Sequence, residues 1–212
     1  MLSSVRSLRS AGAAAVCAGL AWVLWAGINT ATHGALDVGA PAVSPRLARG
    51  GQLLMVAWNL LLLPVALALH AWLSPRQPER MRLATVCGIG AALFWAYGGA
   101  THGITPVLEV SYLVLSGIWW VGVGTVLRQE RRVVGVLTIV LGLFALWDAT
   151  LTALEPVPFG LYLSAAPKLP LSILWDFAIG VTLVHLSRLV AQGGRAVVSS
   201  RGIGNTSVQQ HR

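Results

Sequence analysis

Charged residues are scarce in this chain, and their scarcity argues against a soluble fold. Only 10% of its 212 residues are Asp, Glu, Lys or Arg, whereas 56% are hydrophobic. A soluble domain carries about a quarter charged residues, so this sequence has too few to cover a water-facing surface. We therefore expect lipid to be its main solvent, which makes it an integral membrane protein in contact with the bilayer.

Acidic residues are fewer than basic ones, and there are only two cysteines. The formal net charge is +8, which in a soluble protein would suggest nucleic-acid binding. Here the arginines lie in short clusters between apolar segments, which is typical of topology signals, so we expect no nucleic-acid partner. Cys17 and Cys87 lie within apolar segments, where a disulfide is not expected.

The common catalytic and cofactor motifs are also missing. The sequence contains no P-loop, no dinucleotide fingerprint, no His-Glu-x-x-His, no Cys-x-x-Cys and no Gly-x-Ser-x-Gly. It also lacks the Asp-rich pair of the prenyltransferases. These absences leave the enzyme class and the cofactor content open.

Six apolar segments are present, each of about 20 residues, the length at which a helix crosses a bilayer core. They cover residues 11–31, 51–73, 83–102, 108–127, 133–154 and 171–191. The second contains Pro64, which a lipid-embedded helix tolerates as a kink. We predict an all-α transmembrane bundle of six helices over residues 1–191, followed by a disordered cytoplasmic tail over 192–212.

The basic residues are unevenly distributed among the connecting segments. With the N-terminus in the cytoplasm, twelve of the 15 Lys and Arg residues lie on the cytoplasmic side. Arg46, Arg49 and Lys168 lie on the other side. Because cytoplasmic loops carry an excess of Lys and Arg, we predict a multi-pass protein of the inner (plasma) membrane with both termini in the cytoplasm.

Two of the predicted helices end in similar sequences. The first ends with Trp25-Ala and then Ala-Thr-His33-Gly, and the third ends with Trp95-Ala and then Ala-Thr-His102-Gly. The fifth has a weaker similarity at Trp147-Asp148-Ala-Thr. Three related hairpins would explain this pattern, and chance similarity between apolar helices is the alternative.

Acidic residues are concentrated toward the non-cytoplasmic ends of the helices. Five of the seven lie there: Asp37, Glu109, Asp148, Glu155 and Asp176. Asp148 follows Arg132 by sixteen residues, which places it ~24 Å along a helix that rises ~1.5 Å per residue. A charge at this depth costs ~3 kcal/mol, so we expect Asp148 and Asp176 to face the bundle interior.

Helical spacing groups other polar and aromatic residues with these two acids. We predict a pocket that opens toward the non-cytoplasmic face. Besides Asp148 and Asp176, its expected ligand-binding residues are Asn29, His33, Trp95, His102, Glu109, Trp147, Glu155 and Trp175. The alternative is structural: tryptophans form an interfacial belt, surface carboxylates are solvated, and polar side chains join helices.

The histidines allow a metal or haem interpretation that the rest of the sequence does not support. His33 and His102 with a carboxylate could hold a metal ion, and His70 and His185 form a second pair toward the cytoplasmic side. Two stacked haems would need such pairs, but no haem-specific spacing is present. We therefore predict no metal ligands and assign no cofactor.

Three functions fit the predicted pocket. The first is binding of a small amphiphilic ligand such as a lipid, quinone or isoprenoid. The second is an acid-catalysed membrane enzyme, such as an isoprenoid cyclase or isomerase, in which Asp148 and Asp176 are catalytic and tryptophan rings stabilise a cation. The third is an accessory subunit whose helices pack against a membrane-protein partner.

The region around residues 117–142 carries a resemblance. A helix with the sequence GIWWVGVGTVLR, Gly117–Arg128, is followed by a short basic turn and the Gly-rich helix VVGVLTIVLG, Val133–Gly142. This arrangement resembles that of uncharacterised six-helix integral membrane proteins of bacteria, of the domain-of-unknown-function type. The resemblance covers about residues 11–190 and implies a membrane bundle without an assigned activity or site.

Overall fold

The protein is described here by a computed structural model. It describes the backbone of residues 2–33, 45–101, 105–154 and 159–204, and the side chains of 5–28, 46, 49–98, 100–101, 105–154 and 168–192. Within these residues the chain forms six α-helices and no strand. They are α1 (Leu2–His33), α2 (Pro45–Leu73), α3 (Pro78–Ala100), α4 (Pro106–Glu130), α5 (Arg132–Leu154) and α6 (Phe159–Gly204). The predicted all-α bundle of six helices is confirmed.

Each helix contains a segment that is long and apolar enough to cross a membrane. Large apolar side chains such as Leu20, Leu67 and Val181 are exposed on the outside of the bundle. In water this surface would be unfavourable, but in a bilayer the acyl chains solvate it. The exposed apolar surface therefore agrees with a multi-pass membrane protein.

The helices extend beyond the apolar segments that predicted them. The apolar residues mark only the part of each helix that lipid surrounds, so α1 begins at Leu2 and α2 at Pro45. Helix α6 continues to Gly204, into the segment 192–212 for which the sequence predicts a disordered tail. Residues 205–212 lie outside the described residues, and disorder of the tail stays a prediction.

Prolines and short turns set several helix boundaries. Pro78 and Pro106 occupy the first turns of α3 and α4, where a missing N–H is tolerated. Thr105 caps α4 by accepting a hydrogen bond from the Leu108 N–H at 3.3 Å. Residues 74–77 join α2 to α3, and Arg131 alone separates α4 from α5. Such short connections make the joined helices antiparallel neighbours.

The six helices form a closed ring in chain order. Each packs against the next one along the chain, and α6 packs against α1. We call the end with the two short turns the arginine-rich end and the other the arginine-poor end. The arginine-rich end carries Arg76, Arg80, Arg82, Arg128, Arg131 and Arg132. There an ion pair of 2.6 Å between Arg76 and Glu130 ties the α2–α3 turn to the end of α4.

Glycines allow two pairs of helices to approach closely. A Cβ atom on Gly142 of α5 would lie 2.9 Å from the carbonyl oxygen of Gly117 on α4. On the other side of the ring, Gly12 of α1 and Gly180 of α6 face each other's carbonyl oxygens at the same distance. Small residues at such positions let membrane helices pack through their backbones.

Tryptophans fill the centre of the ring. Trp58 of α2, Trp119 and Trp120 of α4, and Trp175 of α6 are each at most 2% exposed. The rings of Trp119 and Trp120 stack at 5.8 Å, and both contact the ring of Trp175 edge-on. The hairpins α1–α2, α3–α4 and α5–α6 thus each contribute tryptophan to the core from their second helix. The repeat that the sequence suggests stays a prediction.

Candidate functional site

Asp176 is the most deeply buried acidic residue that the structure describes. It lies on α6, eight residues after Lys168, which is ~12 Å along the helix, and it is 0% exposed. Its Oδ2 accepts a hydrogen bond of 2.9 Å from Nε1 of Trp58 on α2. Its Oδ1 is also buried, and no hydrogen-bond donor among the described residues reaches it.

Helix α1 lies between α2 and α6 in the ring, and its sequence makes room for this contact. A Cβ atom on Gly19 would lie 3.2 Å from Cβ of Asp176, so a small residue is needed there. Trp22, one turn further along α1, packs edge-on against Trp58 with 5.0 Å between ring centroids. Trp25 packs against Trp22 in the same way at 4.9 Å. Aromatic rings therefore hold the Trp58 indole that binds Asp176.

Asp148 has a different partner. Its Oδ2 accepts a hydrogen bond of 2.8 Å from Nζ of Lys168, and the two side chains are only 8% and 16% exposed. The pair joins α5 to α6 near the arginine-poor end. Since a carboxylate and an ammonium within hydrocarbon each need a charged partner, this contact explains how both are accommodated.

Helix α4 brings two further polar residues to the same region. Glu109 lies close enough to Asp148 and Lys168 to interact with both electrostatically. Tyr112, one turn further along, interacts in the same way with Asp148 and Asp176. We call Glu109, Tyr112, Asp148, Lys168 and Asp176 the polar cluster. It extends from the arginine-poor end toward the middle of the bundle.

Two of the predicted pocket tryptophans lie in the interior, but only one adjoins the polar cluster. Trp95 of α3 packs against Tyr112 with 4.4 Å between ring centroids. Trp175 is buried among Trp119 and Trp120, and its Nε1 donates a hydrogen bond of 2.8 Å to Oγ1 of Thr138 on α5. The Trp175 indole thus joins α6 to α5 rather than facing Asp176.

Trp147 does not lie in the interior. Its side chain is 59% exposed, whereas the next residue, Asp148, is buried. Successive residues point about 100° apart around a helix, so a tryptophan and the acid that follows it need not share a surface. Trp147 faces outward, in a position suited to the interfacial belt that the structural alternative anticipates.

Four predicted pocket residues fall where the structure gives no side-chain description. Asn29 and His33 belong to α1, but their side chains are not described, and His102 and Glu155 lie outside the described residues. Their membership of the pocket stays a prediction. Among the described residues, no group of three or more His, Cys, Asp or Glu side chains is placed to hold a metal ion.

The remaining histidine pair has no shared partner among the described residues. Nδ1 of His70 lies 2.9 Å from Oγ1 of Thr85 on α3 and 3.3 Å from the carbonyl oxygen of Met81. His185 is exposed on α6. These positions give no support to the haem interpretation.

Several other buried polar atoms lack a hydrogen-bond partner among the described residues. Besides Oδ1 of Asp176, they are Oδ1 of Asn59 and the indole nitrogens of Trp22, Trp95, Trp119 and Trp120. Asn59 uses its amide nitrogen to bind the Met55 carbonyl oxygen of its own helix at 2.9 Å. Buried polar groups are normally hydrogen-bonded, so the interior has hydrogen-bonding capacity for a bound molecule.

Comparison with known proteins leaves the geometry as the basis for function. Protein-family models, curated proteins and solved structures give no match to this chain. The resemblance to bacterial six-helix membrane proteins therefore stays a prediction.

Sequence reasoning placed Asp176 in the interior but missed its partner Trp58 and the partner of Asp148, Lys168. Two signals were available. Trp58-Asn59 on α2 has the same tryptophan–polar order as Trp175-Asp176 on α6, and all four side chains are at most 1% exposed. Lys168 is the sole lysine of the chain and directly precedes an apolar segment. A positive charge at that position is costly unless an acidic side chain pairs with it.

Proposed function

We propose that the protein binds a small amphiphile, such as a lipid, quinone or isoprenoid, with the ligand's polar end at the polar cluster. The observation that carries this proposal is the state of Asp176, which is wholly buried, bound through one oxygen by Trp58 and, among the described residues, unpartnered at the other. An acid within the hydrocarbon region is costly and is usually retained for function.

The surroundings of Asp176 suit a molecule with an apolar body. Trp58, which binds Asp176, packs against Trp22, and Tyr112, which interacts electrostatically with Asp176, packs against Trp95. Ligand sites are mostly apolar, with a few polar groups that fix orientation. Asp176 and Tyr112 would fix the polar end, and the rings would contact the remainder.

The contact between α5 and α6 offers a route from the bilayer. Over the described residues, these two helices share the least extensive interface of the six neighbouring pairs. Among the described residues, two side-chain hydrogen bonds join these helices, from Lys168 to Asp148 and from Trp175 to Thr138. An amphiphile that enters from the lipid between these helices would therefore break few packing contacts and few hydrogen bonds.

We infer that the protein lies in the plasma membrane with both termini in the cytoplasm. The inference is supported by the basic residues, twelve of 15 of which fall on one side of a six-span topology. The polar cluster then lies in the non-cytoplasmic half of the membrane, where its ligand would be found.

The experiment that tests the proposal is native mass spectrometry of the protein purified from its own membranes in a mild detergent. We expect a small amphiphile to remain bound at about one molecule per chain. A purified, folded protein that retains only the detergent and bulk lipids of the membrane would contradict the proposal. It would favour the accessory-subunit alternative, which affinity purification of intact complexes would then address.

A second candidate function is acid catalysis on an isoprenoid, with Asp148 and Asp176 as the catalytic acids. The observation that favours it is the same unpartnered Oδ1 of Asp176, which could exchange a proton with an apolar substrate beside aromatic rings. Incubation with isoprenoids distinguishes the two functions. An enzyme converts the bound molecule over time, whereas a binding protein returns it unchanged.

A further inference from the structure

The polar cluster has an excess of acidic groups. It contains three carboxyl groups, those of Glu109, Asp148 and Asp176, and a single ammonium group, that of Lys168. Lys168 is already bound to Asp148 at 2.8 Å. The other basic side chains described near this end, those of Arg46 and Arg49 on α2, are exposed, and Arg49 donates a hydrogen bond to Gln52. Among the described residues no basic side chain pairs with Asp176, so a further positive charge would be accommodated there.

The unpartnered oxygen of Asp176 is where that charge would bind. The Asp176 side chain is fully buried, and Trp58 engages only its Oδ2. A cation bound to Oδ1 would satisfy the last acceptor of this carboxylate, and hydrogen bonds between charged groups are the stronger kind.

The aromatic residues around Asp176 favour the same kind of ligand. Trp58 binds Asp176, Trp22 packs against Trp58 with ring centroids 5.0 Å apart, and Tyr112 interacts electrostatically with Asp176. Tryptophan faces attract ammonium groups, and quaternary ammonium ligands are commonly bound in aromatic surroundings. A neutral hydroxyl would gain less from these rings, and an anion would be repelled by the carboxylates.

We propose that the amphiphile bound by this protein carries a positively charged polar end, an ammonium group that pairs with Oδ1 of Asp176. This inference rests on the proposed amphiphile-binding function and names the chemical class of its ligand. Lys168 already pairs with Asp148, so the proposed cation binds at Asp176.

A set of three probes with the same alkyl chain tests the inference: decylammonium, decanol and decyl sulfate. Their binding is measured by equilibrium dialysis against phosphatidylcholine nanodiscs that contain the protein, with empty nanodiscs to subtract partitioning into lipid. We expect the ammonium probe to bind saturably and about tenfold more tightly than decanol. Decyl sulfate should show no binding above that of empty nanodiscs.

Three variants assign the effect to the polar cluster. Asp176→Asn keeps the acceptor for Trp58 and removes the charge, so the ammonium probe should lose about tenfold or more in affinity. Lys168→Gln removes the ammonium group of the polar cluster and should strengthen ammonium binding. Glu79→Gln removes one carboxylate at the arginine-rich end, where its side chain is 83% exposed, and should leave the affinity unchanged.

The outcomes separate this inference from the function on which it rests. If decanol binds as tightly as the ammonium probe and both depend on Asp176, the amphiphile site stands and the cationic ligand is wrong. If no probe binds above empty nanodiscs although the wild-type protein in them is folded, both proposals are wrong. Equal ammonium affinity in Asp176→Asn and wild type would also overturn the inference.

Discussion

The carboxyl groups of Asp148 and Asp176 differ in their hydrogen-bond and ion-pair partners, and this difference indicates different roles. Asp148 is paired with Lys168 at 2.8 Å, which neutralises it and ties two helices together. Asp176 has an indole N–H on one oxygen and no partner among the described residues on the other. The ion pair therefore gives Asp148 a role in stability, whereas the proposed ligand binding depends on Asp176.

The hydrogen bond from Trp58 to Asp176 predicts a specific loss of stability. Trp58→Phe keeps an aromatic ring but removes the donor, which leaves both oxygens of a buried acid unpartnered. The free energy of unfolding in detergent should fall by about 1–3 kcal/mol more than in Trp120→Phe. Trp120 is equally buried, but its Nε1 has no partner among the described residues, so that variant controls for lost ring volume. Equal losses in the two variants would show that the hydrogen bond contributes nothing.

At this scale the sequence predicted which acids are deep but not what they contact. Depth follows from counting residues along a helix, and this placed Asp176 correctly in the interior. Rotation of a helix about its axis is set by all of its neighbours. The outward direction of Trp147 and the inward direction of Trp58 could therefore not be obtained from either helix alone.

Helices α5 and α6 depend on polar contacts more than the other neighbouring pairs do. Their interface is the least extensive of the ring over the described residues, and it holds the Lys168–Asp148 ion pair and the Trp175–Thr138 hydrogen bond. By contrast, α4 and α5 pack closely through Gly117 and Gly142. We therefore expect the packing of α5 against α6 to be more sensitive to a change of charge than the packing of α4 against α5.

A double-mutant cycle on the ion pair tests this view. Asp148→Asn and Lys168→Gln should each lower the free energy of unfolding by about 3 kcal/mol, because each removes one charge of a buried ion pair. The double variant should recover most of the loss, because two neutral amide side chains replace the pair. Additive losses in the double variant would mean that the two residues act independently and that the pair does not hold the helices together.

Helix number and approximate bounds were predictable at this scale, because each apolar segment has the length of a membrane span. The pairing of helices was not. Asp148 and Lys168 are twenty residues apart on different helices, and nothing in either segment specifies which side of α5 meets α6. The close approach at Gly117 and Gly142 lies within the region that carries the predicted resemblance, but glycine is common in membrane helices and gave no pairing by itself.

The whole molecule is a ring of six helices with polar groups asymmetrically distributed along its axis. Arginines cluster at one end, and the polar cluster extends inward from the other. The number of spans and the arginine asymmetry were visible in the sequence. The closure of α6 on α1 was not, because short connections specify only sequential neighbours.

The arginine asymmetry predicts the orientation of the ring. Reporter fusions at Gly39, Gln77, Gln129 and Ala165 should report outside, inside, inside and outside, respectively, because Lys and Arg are retained on the cytoplasmic side. Activity of an alkaline phosphatase reporter and fluorescence of a cytoplasmic reporter at each site provide the readout. The reverse alternation would place the polar cluster in the cytoplasmic half and change the source of its ligand.

The central claim is that Asp176 binds an amphiphile in the interior of the ring. It is tested most directly by the amount of co-purifying amphiphile per folded molecule in Asp176→Asn relative to wild type. Native mass spectrometry measures this amount, and a melting curve of the same sample measures folding. We expect Asp176→Asn to melt close to wild type and to lose most of the ligand, while Glu79→Gln retains it. Full retention of the ligand by a folded Asp176→Asn protein would show that Asp176 does not bind it.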